Sequence, residues 1–127
     1  MTGQQGVATT ISVVMPVFNE AGILMELCEK IEQTLYEHNI EYEIVLVNDG
    51  SSDGSGEVLD TLAEGDKRIK VIHLSRNFGH QNAGQAGIMH GTGDAILVMD
   101  SDMQDAPAGI PMLVDKWREG YDVVYAL

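Results

Sequence analysis

Three carboxylates follow directly after one short apolar run, and this is the stretch of the chain best suited to chemistry. The run spans residues 95–99, which is long enough for a buried strand and too short for a helix. Asp100, Asp102 and Asp105 come after it, with Gln104 among them. Because alternate side chains of a strand point the same way, Asp100 and Asp102 can converge where the strand ends. Carboxylates that close repel each other unless a cation or proton lies between them, and hard oxygen ligands suit Mg²⁺ or Mn²⁺.

Strand-like and helix-like patterns alternate along the whole chain. The predicted strands span residues 11–15, 42–47, 70–74, 95–99 and 121–125. Apolar side chains at three- and four-residue steps predict helices between them, at residues 22–38, around Leu59, at residues 79–91 and after Pro107 or Pro111. This alternation predicts an α/β fold, an open, mostly parallel, Rossmann-like sheet with helices on both faces. Residues 1–10 are polar and are expected to form a disordered tail, so the domain occupies residues 11–127.

Polar side chains follow each of the first four predicted strands. They are Asn19 and Glu20, then Asp49 and Asp53, then Arg76 and Asn77, and finally the carboxylates after residue 99. In open α/β sheets, ligands bind beyond the carboxyl ends of the strands, where the strand order reverses. With strand order 3-2-1-4, this crevice lies between the loop at residues 16–20 and the loop at residues 100–105. The loop around Asp49 then forms one wall.

The predicted crevice contains several carboxylates but only one cation, Arg76. A phosphate group would be repelled there unless a divalent metal held by Asp100 and Asp102 reversed the local charge. Mg²⁺ typically takes a few ligands from protein carboxylates and the rest from substrate phosphates and water, which matches the ligands available here. Arg76 can add a charge-assisted bond to a phosphate, although a surface salt bridge explains the same residue equally well.

A calcium loop is the main alternative for part of the acidic cluster. The residues that imitate an EF-hand loop are Asp49, Ser51, Asp53, Gly54 and Asp60. An EF-hand requires a helix before its loop, whereas the residues before Asp49 have the pattern of a strand. This alternative leads to a non-catalytic module that binds a metal or a sugar nucleotide.

The composition narrows the functional classes. A net charge of −13 with seven Lys and Arg residues argues against binding nucleic acid, and no apolar run approaches the length of a membrane span.

The single Cys28 excludes an internal disulfide, fits a reducing compartment and is expected to pack in the core. Met89, Met99, Met103 and Met112 are also expected to fill the core.

Four motifs occur in the order and spacing of a known family. They are Val14-Met-Pro-Val-Phe-Asn-Glu20, Val47-Asn-Asp-Gly-Ser-Ser-Asp-Gly54, Ser75-Arg-Asn-Phe-Gly-His80 and Met99-Asp-Ser-Asp-Met-Gln-Asp105. With them the chain resembles glycosyltransferase family 2, and within it the branch of dolichyl-phosphate mannose synthases and polyprenyl-phosphate glucosyltransferases. The resemblance implies a GT-A fold and an inverting transfer of a sugar from a UDP- or GDP-sugar, with Mg²⁺ or Mn²⁺ as the cofactor.

The resemblance also implies roles for individual residues. The nucleotide-sugar site would comprise Pro16, Phe18, Asn19, Glu20, Asp49, Ser51, Arg76, Asn77, Gly79, Asp100, Ser101 and Asp102. The metal would be held by Asp100, Asp102 and Gln104. Asp105 matches an acidic position close to the reaction centre and is expected to be catalytic together with Asp102. Ser101 stands where the family usually has an acidic or small residue, a change expected to be harmless.

Catalytic domains of this family are longer than the chain, which therefore resembles the donor-binding part of a larger protein. We expect this part to bind the donor but to be inactive alone. The acceptor implied by the resemblance is a polyprenyl or dolichyl phosphate, and the longer protein would be cytoplasmic and attached to the cytoplasmic face of a membrane. The predicted last strand, residues 121–125, would be an unpaired edge and would favour self-association.

Overall fold

The computed structural model describes residues 10–99 and 110–112. Within them, the strands are β1 (Thr10–Val17), β2 (Glu41–Asn48), β3 (Ile69–His73) and β4 (Ala95–Val98). The helices are α1 (Leu24–Glu37), α2 (Ser55–Gly65) and α3 (His80–His90), and residues 110–112 are also helical. The first seven predicted elements are therefore confirmed. The predicted fifth strand, at residues 121–125, lies outside the described residues.

The strands form one parallel sheet in the order β3-β2-β1-β4. The chain moves outward from β1 through β2 to β3, and then returns to the other side of β1 to form β4. The predicted order 3-2-1-4 and the predicted α/β class are confirmed. The strand order reverses at β1, so the carboxyl ends of β1 and β4 are neighbours there.

Helices cover both faces of the sheet. On one face α1 buries apolar side chains spaced three or four residues apart, namely Leu24, Leu27, Ile31 and Leu35, and α2 adds Leu59. On the other face α3 packs its small residues Ala83, Gly84 and Gly87 against the valines of β1 and β2. Because β1 and β2 are covered on both sides, their sequences are almost continuously apolar.

One buried carboxylate joins the strands at the amino end of the sheet. Glu43 of β2 accepts hydrogen bonds from Ser12 Oγ of β1 at 2.5 Å and from Thr92 N, in the turn before β4, at 2.6 Å. Lys70 of β3 places its Nζ 2.6 Å from the same carboxylate. Ser12 Oγ in turn accepts the Gly93 N–H at 2.8 Å. Glu43 of β2 is therefore linked to β1, to β3 and to the turn before β4, and sequence reasoning did not single it out.

The methionines divide between the core and the surface. Met99 is buried as predicted, but Met89 is 76% exposed and Met112 is 67% exposed, so the core prediction is wrong for these two. Met89 lies two residues after Gly87 of the buried face of α3, a rotation of about 200° that turns it outward. Met112 likewise follows the buried Ile110 by two residues. Met103 lies outside the described residues.

Cys28 lies in the core on the buried face of α1. Burial, with a smaller effect from the nearby Glu32 carboxylate, raises the pKa of the Cys28 thiol to about 12. A thiol that stays protonated is a poor nucleophile. The predicted packing role is confirmed.

Candidate active site

The loops that follow β1, β2 and β3 begin side by side at the carboxyl edge of the sheet. Asp49, the first residue after β2, donates its N–H to Val17 O at the end of β1 across 2.8 Å. Leu74, the first residue after β3, donates its N–H to Asn48 O across 2.9 Å. Polar loops separated by many residues in the chain are thus brought to the edge where ligands bind in open α/β sheets.

The loop after β1 is hydrogen-bonded to the loop after β2. Asn19 has a φ of 54°, a left-handed conformation that asparagine tolerates better than most residues. Its N–H donates to Ser51 Oγ at 2.9 Å, and its side-chain Oδ1 accepts the Ser52 N–H at 2.8 Å. The predicted site residues Asn19 and Ser51 are therefore direct partners, and they fix the shape of the two loops.

A second pair of contacts continues this connection. The Glu20 N–H donates to Ser55 Oγ at 3.0 Å, and the Ala21 N–H donates to Asp53 Oδ2 at 3.2 Å. Asp53 Oδ1 accepts bonds from the hydroxyl and N–H of Ser55 at 2.5 and 3.0 Å. These bonds, the Ser55 hydroxyl first, lower the pKa of Asp53. Both oxygens of Asp53 are thus occupied in holding the loops together.

The EF-hand interpretation of this region is wrong. The strand β2, rather than a helix, precedes the loop. Asp53 binds the backbone, and Asp60 pairs with His73. Within residues 10–99 and 110–112 there is no group of three or more His, Cys, Asp and Glu side chains that could hold a metal ion.

Asp49 connects the loop after β2 with the loop after β3. Its side chain is almost completely buried at 2% exposure, and its Oδ1 accepts the Phe78 N–H at 2.7 Å. In the described part of the chain its second oxygen, Oδ2, accepts no hydrogen bond. The neighbouring Gly50 has a φ of +73°, and a Cβ there would lie 2.4 Å from the backbone of Arg76 and Asn77. Only a glycine allows this close approach of the two loops.

Two partly exposed aromatic side chains and one arginine project from these loops. Phe18 is 38% exposed and Phe78 is 39% exposed. The guanidinium of Arg76 lies over the Phe78 ring, 4.8 Å from its centre, and forms no ion pair with any described residue. Asn77 Oδ1 accepts the N–H of Gly79, whose φ of +98° turns the chain into α3. Arg76 is therefore held as a cation–π partner rather than in the surface salt bridge considered above.

Pro16 marks the point where β4 separates from β1. Val14 O accepts the Met99 N–H at 3.0 Å on the β4 side of β1, and Val14 pairs with Val98 at the end of β4. Pro16 is the next residue that faces this side, and it has no N–H with which to continue the ladder. Pro16 is itself buried, and its Cγ would lie 3.9 Å from a Cβ at Gly84 of α3.

The structure thus brings together the predicted residues of three loops. Those it places at this edge are Pro16, Phe18, Asn19, Glu20, Asp49, Ser51, Arg76, Asn77 and Gly79. Those that lie outside the described residues are Asp100, Ser101, Asp102, Gln104 and Asp105. Sequence reasoning missed the connecting roles of Ser55 and Phe78. The sequence signal for Phe78 was its aromatic side chain within a polar loop. No sequence signal marked Ser55.

The comparisons with known proteins fit this geometry. A model of the family described as Glycosyl transferase family 2 matches residues 12–127. The chain belongs to this family. It is 44% identical over 116 residues to the uncharacterized glycosyltransferase YkcC of Bacillus subtilis (strain 168), covering 91% of the chain and 36% of that protein. It is also 44% identical over 115 residues to the undecaprenyl-phosphate 4-deoxy-4-formamido-L-arabinose transferase of Klebsiella pneumoniae (strain 342), covering 90% of the chain and 35% of that protein.

Solved structures agree with the family 2 assignment at the level of the fold. The chain superimposes on the mannosyltransferase PcManGT from Pyrobaculum calidifontis, solved in complex with GDP-Man and Mn²⁺, with a TM-score of 0.67 and 23% identity. The match covers 80% of the chain and 31% of that structure. The chain spans about a third of the length of the curated relatives it matches, YkcC and the Klebsiella transferase. In the described ranges no helix is long and apolar enough to cross a membrane.

Proposed function

We propose that this chain is the nucleotide-sugar-binding part of a metal-dependent, inverting glycosyltransferase that transfers a sugar from a UDP- or GDP-sugar to a polyprenyl or dolichyl phosphate. Membership of glycosyl transferase family 2 supports sugar transfer. The name of the Klebsiella relative, an undecaprenyl-phosphate transferase, supports a lipid-phosphate acceptor.

The observation that carries the proposal is the buried carboxylate of Asp49 at the carboxyl edge of the sheet. One oxygen accepts the Phe78 N–H, and within the described residues the other accepts nothing. A buried acceptor without a donor is costly, so this oxygen favours a ligand that brings its own N–H or O–H group. A nucleobase or a ribose supplies such groups. Phe18 and Phe78, in the loops after β1 and β3, have partly exposed rings that offer flat apolar surfaces.

The donor set proposed for the metal follows β4. Asp100, Asp102 and Gln104 are oxygen-bearing residues within five positions after Met99, which is itself hydrogen-bonded to Val14 O of β1. Hard oxygen ligands suit Mg²⁺ and Mn²⁺, and the PcManGT complex contains Mn²⁺. When bound, the metal would neutralise charge on the diphosphate. Arg76, free of ion pairs in the described part of the chain, can turn from Phe78 towards a phosphate.

The nature of the acceptor decides which residues must move a proton. A phosphate monoester is already largely ionised at neutral pH, since its second pKa is about 6. It can attack the anomeric carbon without a strong base. A sugar hydroxyl must lose a proton as it attacks, and then Asp105 is the residue we propose as general base, with Asp102 beside the diphosphate.

A titration of the protein with UDP and GDP, with and without Mn²⁺, tests this function. If Asp100 and Asp102 share a metal with the diphosphate, metal and nucleotide must raise each other's affinity by the same factor, typically about 5- to 150-fold. We expect Asp102→Asn to abolish this coupling but to leave weak metal-independent binding of the nucleoside. Asp49→Asn, which keeps the acceptor for Phe78 N, is expected to weaken nucleotide binding while Mn²⁺ still binds.

The matched control for both variants is Glu64→Gln. It makes the same change of charge at an exposed position near the end of α2, away from the carboxyl edge. We expect its titrations to equal those of the wild type. Equal nucleotide affinity with and without Mn²⁺ in the wild-type protein would contradict the shared metal.

A further inference from the structure

A chain of side-chain hydrogen bonds leads from α2 through His73 into the loops of the site. His73 Nε2 lies 2.7 Å from Asp60 Oδ1 of α2, and His73 Nδ1 lies 3.0 Å from Asn48 Nδ2 at the end of β2. Asn48 Oδ1 accepts the Ser51 N–H at 2.9 Å. Ser51 Oγ then accepts the Asn19 N–H at 2.9 Å. We call this series the His73 relay. It connects the imidazole ring to two of the three loops at the carboxyl edge.

The relay fixes which nitrogen of His73 carries the proton. A backbone N–H can only donate, so the Asn48 atom that faces Ser51 must be its carbonyl oxygen. The Asn48 amide therefore turns its NH₂ group towards His73 Nδ1, which must accept. In a neutral imidazole the other nitrogen then bears the hydrogen, and His73 Nε2–H donates to Asp60.

The Asn48 amide has little freedom to adapt. Its residue is 7% exposed, and a Cβ at Gly56 of α2 would lie 3.1 Å from Asn48 Nδ2 and 3.6 Å from His73 Cε1. The amide is thus packed closely beneath the first turn of α2, and the ring lies next to it at an ordinary contact distance. A change at the ring acts on Asn48 through their shared hydrogen bond, on the inner side of a ring that is 42% exposed.

Protonation of His73 conflicts with this arrangement. An imidazolium has hydrogens on both nitrogens, so Nδ1–H would face the Asn48 NH₂ group, and two donors would oppose each other. If the amide rotates to offer its oxygen to His73, its NH₂ group faces the Ser51 N–H instead. Either way one bond of the relay is lost.

The charged surroundings do not remove the conflict. In the part of the chain that is described, Asp60 of α2 is the charged side chain in contact with the ring, while β2 contributes the neutral Asn48. The Asp60 side chain is 61% exposed, so its field at the ring is screened by water. Both bonds that can be lost, His73 with Asn48 and Asn48 with Ser51, are partly buried.

We propose that His73 is a positioning residue: its neutral form holds the Ser51 and Asn19 loops in the shape that binds the nucleotide, and its protonation loosens them. The proposal rests on the nucleotide site proposed above. Histidine is the side chain that ordinarily changes charge between about pH 5 and 8. Nucleotide binding is therefore expected to weaken on acidification.

Two substitutions separate this role from general packing. His73→Asn keeps an acceptor oxygen close to the position of Nδ1 but cannot be protonated, so it should bind the nucleotide equally well at pH 8 and at pH 5.5. Asn48→Asp offers one carboxylate oxygen to the Ser51 N–H and the other to a protonated His73 Nδ1–H. This variant should reverse the wild-type dependence and bind more tightly at pH 5.5.

The experiment measures UDP and GDP affinity at pH 8 and pH 5.5 for the wild type, His73→Asn and Asn48→Asp. The matched control is His90→Asn. His90 is an exposed histidine at the carboxyl end of α3. We expect acidification to weaken binding by about tenfold more in the wild type and His90→Asn than in His73→Asn, which corresponds to the loss of one partly buried hydrogen bond. The ionisation of the nucleotide phosphate changes in the same way for all four proteins, so it cancels when their affinity changes are compared.

Measurements without a nucleotide keep this inference separate from the proposed function. Long-range proton–nitrogen NMR spectra should show His73 as the Nε2–H tautomer at pH 8. The protection of the Ser51 amide from hydrogen exchange should fall at pH 5.5 in the wild type and persist in His73→Asn. An Nδ1–H tautomer, or a pH effect on Ser51 that is equal in both proteins, overturns the relay. Absence of UDP and GDP binding at both pH values contradicts the proposed function, while the tautomer and the exchange data still decide the relay.

Discussion

At the scale of single residues, the site depends on backbone positions as much as on side chains that can reach a ligand. Gly50 is the clearest case, because it has a positive φ and also touches the backbone of the next loop. Asp49 beside it is held by Val17 O and the Phe78 N–H. The position of the buried carboxylate is therefore a product of two backbone contacts and one glycine.

Replacement of Gly50 by alanine should weaken both the fold and the binding of nucleotide. A left-handed conformation costs a non-glycine residue about 1–2 kcal/mol, and the new Cβ also meets backbone atoms that cannot turn away. We expect Gly50→Ala to lower the free energy of unfolding by about 2 kcal/mol or more in urea titrations. Gly22→Ala is the control, since a Cβ there has no neighbour within 4 Å, and it should change stability by less than about 0.5 kcal/mol. Equal effects of the two substitutions would contradict this account of Gly50.

At the scale of elements, α3 sets the distance between a helix and the sheet. Its buried residues Ala83, Gly84 and Gly87 have almost no side chains, so the helix axis lies close to β1 and β2. A Cβ at Gly87 would lie 2.3 Å from Val14 Cγ1, whereas one at Gly84 would have its nearest contact at an ordinary 3.9 Å. The two glycines of one helix are therefore not equivalent.

Alanine substitutions at these two glycines should have opposite effects on stability. Alanine normally stabilises a helix interior by about 0.5–1 kcal/mol over glycine, and Gly84→Ala should show this gain because its Cβ fits. Gly87→Ala must push α3 away from Val14 and should cost about 1–3 kcal/mol, as overpacking does. Urea unfolding of both variants measures the difference.

A double-mutant cycle identifies the cause of the Gly87 effect. Val14→Ala removes the methyl group that the new Cβ would meet, so the double variant should be more stable than the sum of the two single changes predicts. Strict additivity would show that Val14 is not the source of the cost.

At the scale of the whole molecule, the two ends of the sheet serve different purposes. The carboxyl end has polar loops, partly exposed aromatic rings and the buried Asp49. The amino end has Glu43 of β2, whose bonds reach β1, β3 and the turn before β4. Burial alone would raise the pKa of Glu43, but the bonds from Lys70, Ser12 and Thr92 outweigh it and lower the pKa to about 2.

Glu43 should make the fold sensitive to acid in a defined range. Its pKa in the folded protein lies below the ordinary value of 4.5, so its contribution is complete above about pH 4.5 and is lost as the pH falls towards 2. The contribution is of the order of 2–3 kcal/mol, allowing for the partial exposure of Lys70. The advantage of the wild type over Glu43→Gln in urea should therefore be largest at pH 7 and small near pH 2.

Glu41→Gln provides the matched control for this prediction. It lies two residues earlier on the same strand and is exposed. We expect its stability to follow that of the wild type at every pH. A difference between wild type and Glu43→Gln that is the same at pH 7 and at pH 3 would show that Glu43 acts by packing rather than by charge.

The sequence by itself determined the elements, their alternation and the edge at which the site forms. Strand and helix follow from local apolar periodicity, and polar residues at strand ends mark the carboxyl edge, so these features depend on short stretches of chain. For the same reason Asn19, Asp49 and Arg76 could be assigned to one edge of the sheet before their contacts were known, whereas Ser51 was added by the resemblance to the family.

Only the tertiary structure decided how these residues are held. The hydrogen bonds of Asn19 with Ser51, of Asp49 with Phe78 and of Asn48 with His73 join residues 25 to 32 positions apart. No local pattern distinguishes Asn48 or Glu43 within its apolar strand. Partners of this kind are chosen by the order of the strands and by the burial that this order creates, because a polar group that loses water must find another polar group nearby. The local sequence around a polar residue therefore does not identify its hydrogen-bond partner in the folded protein.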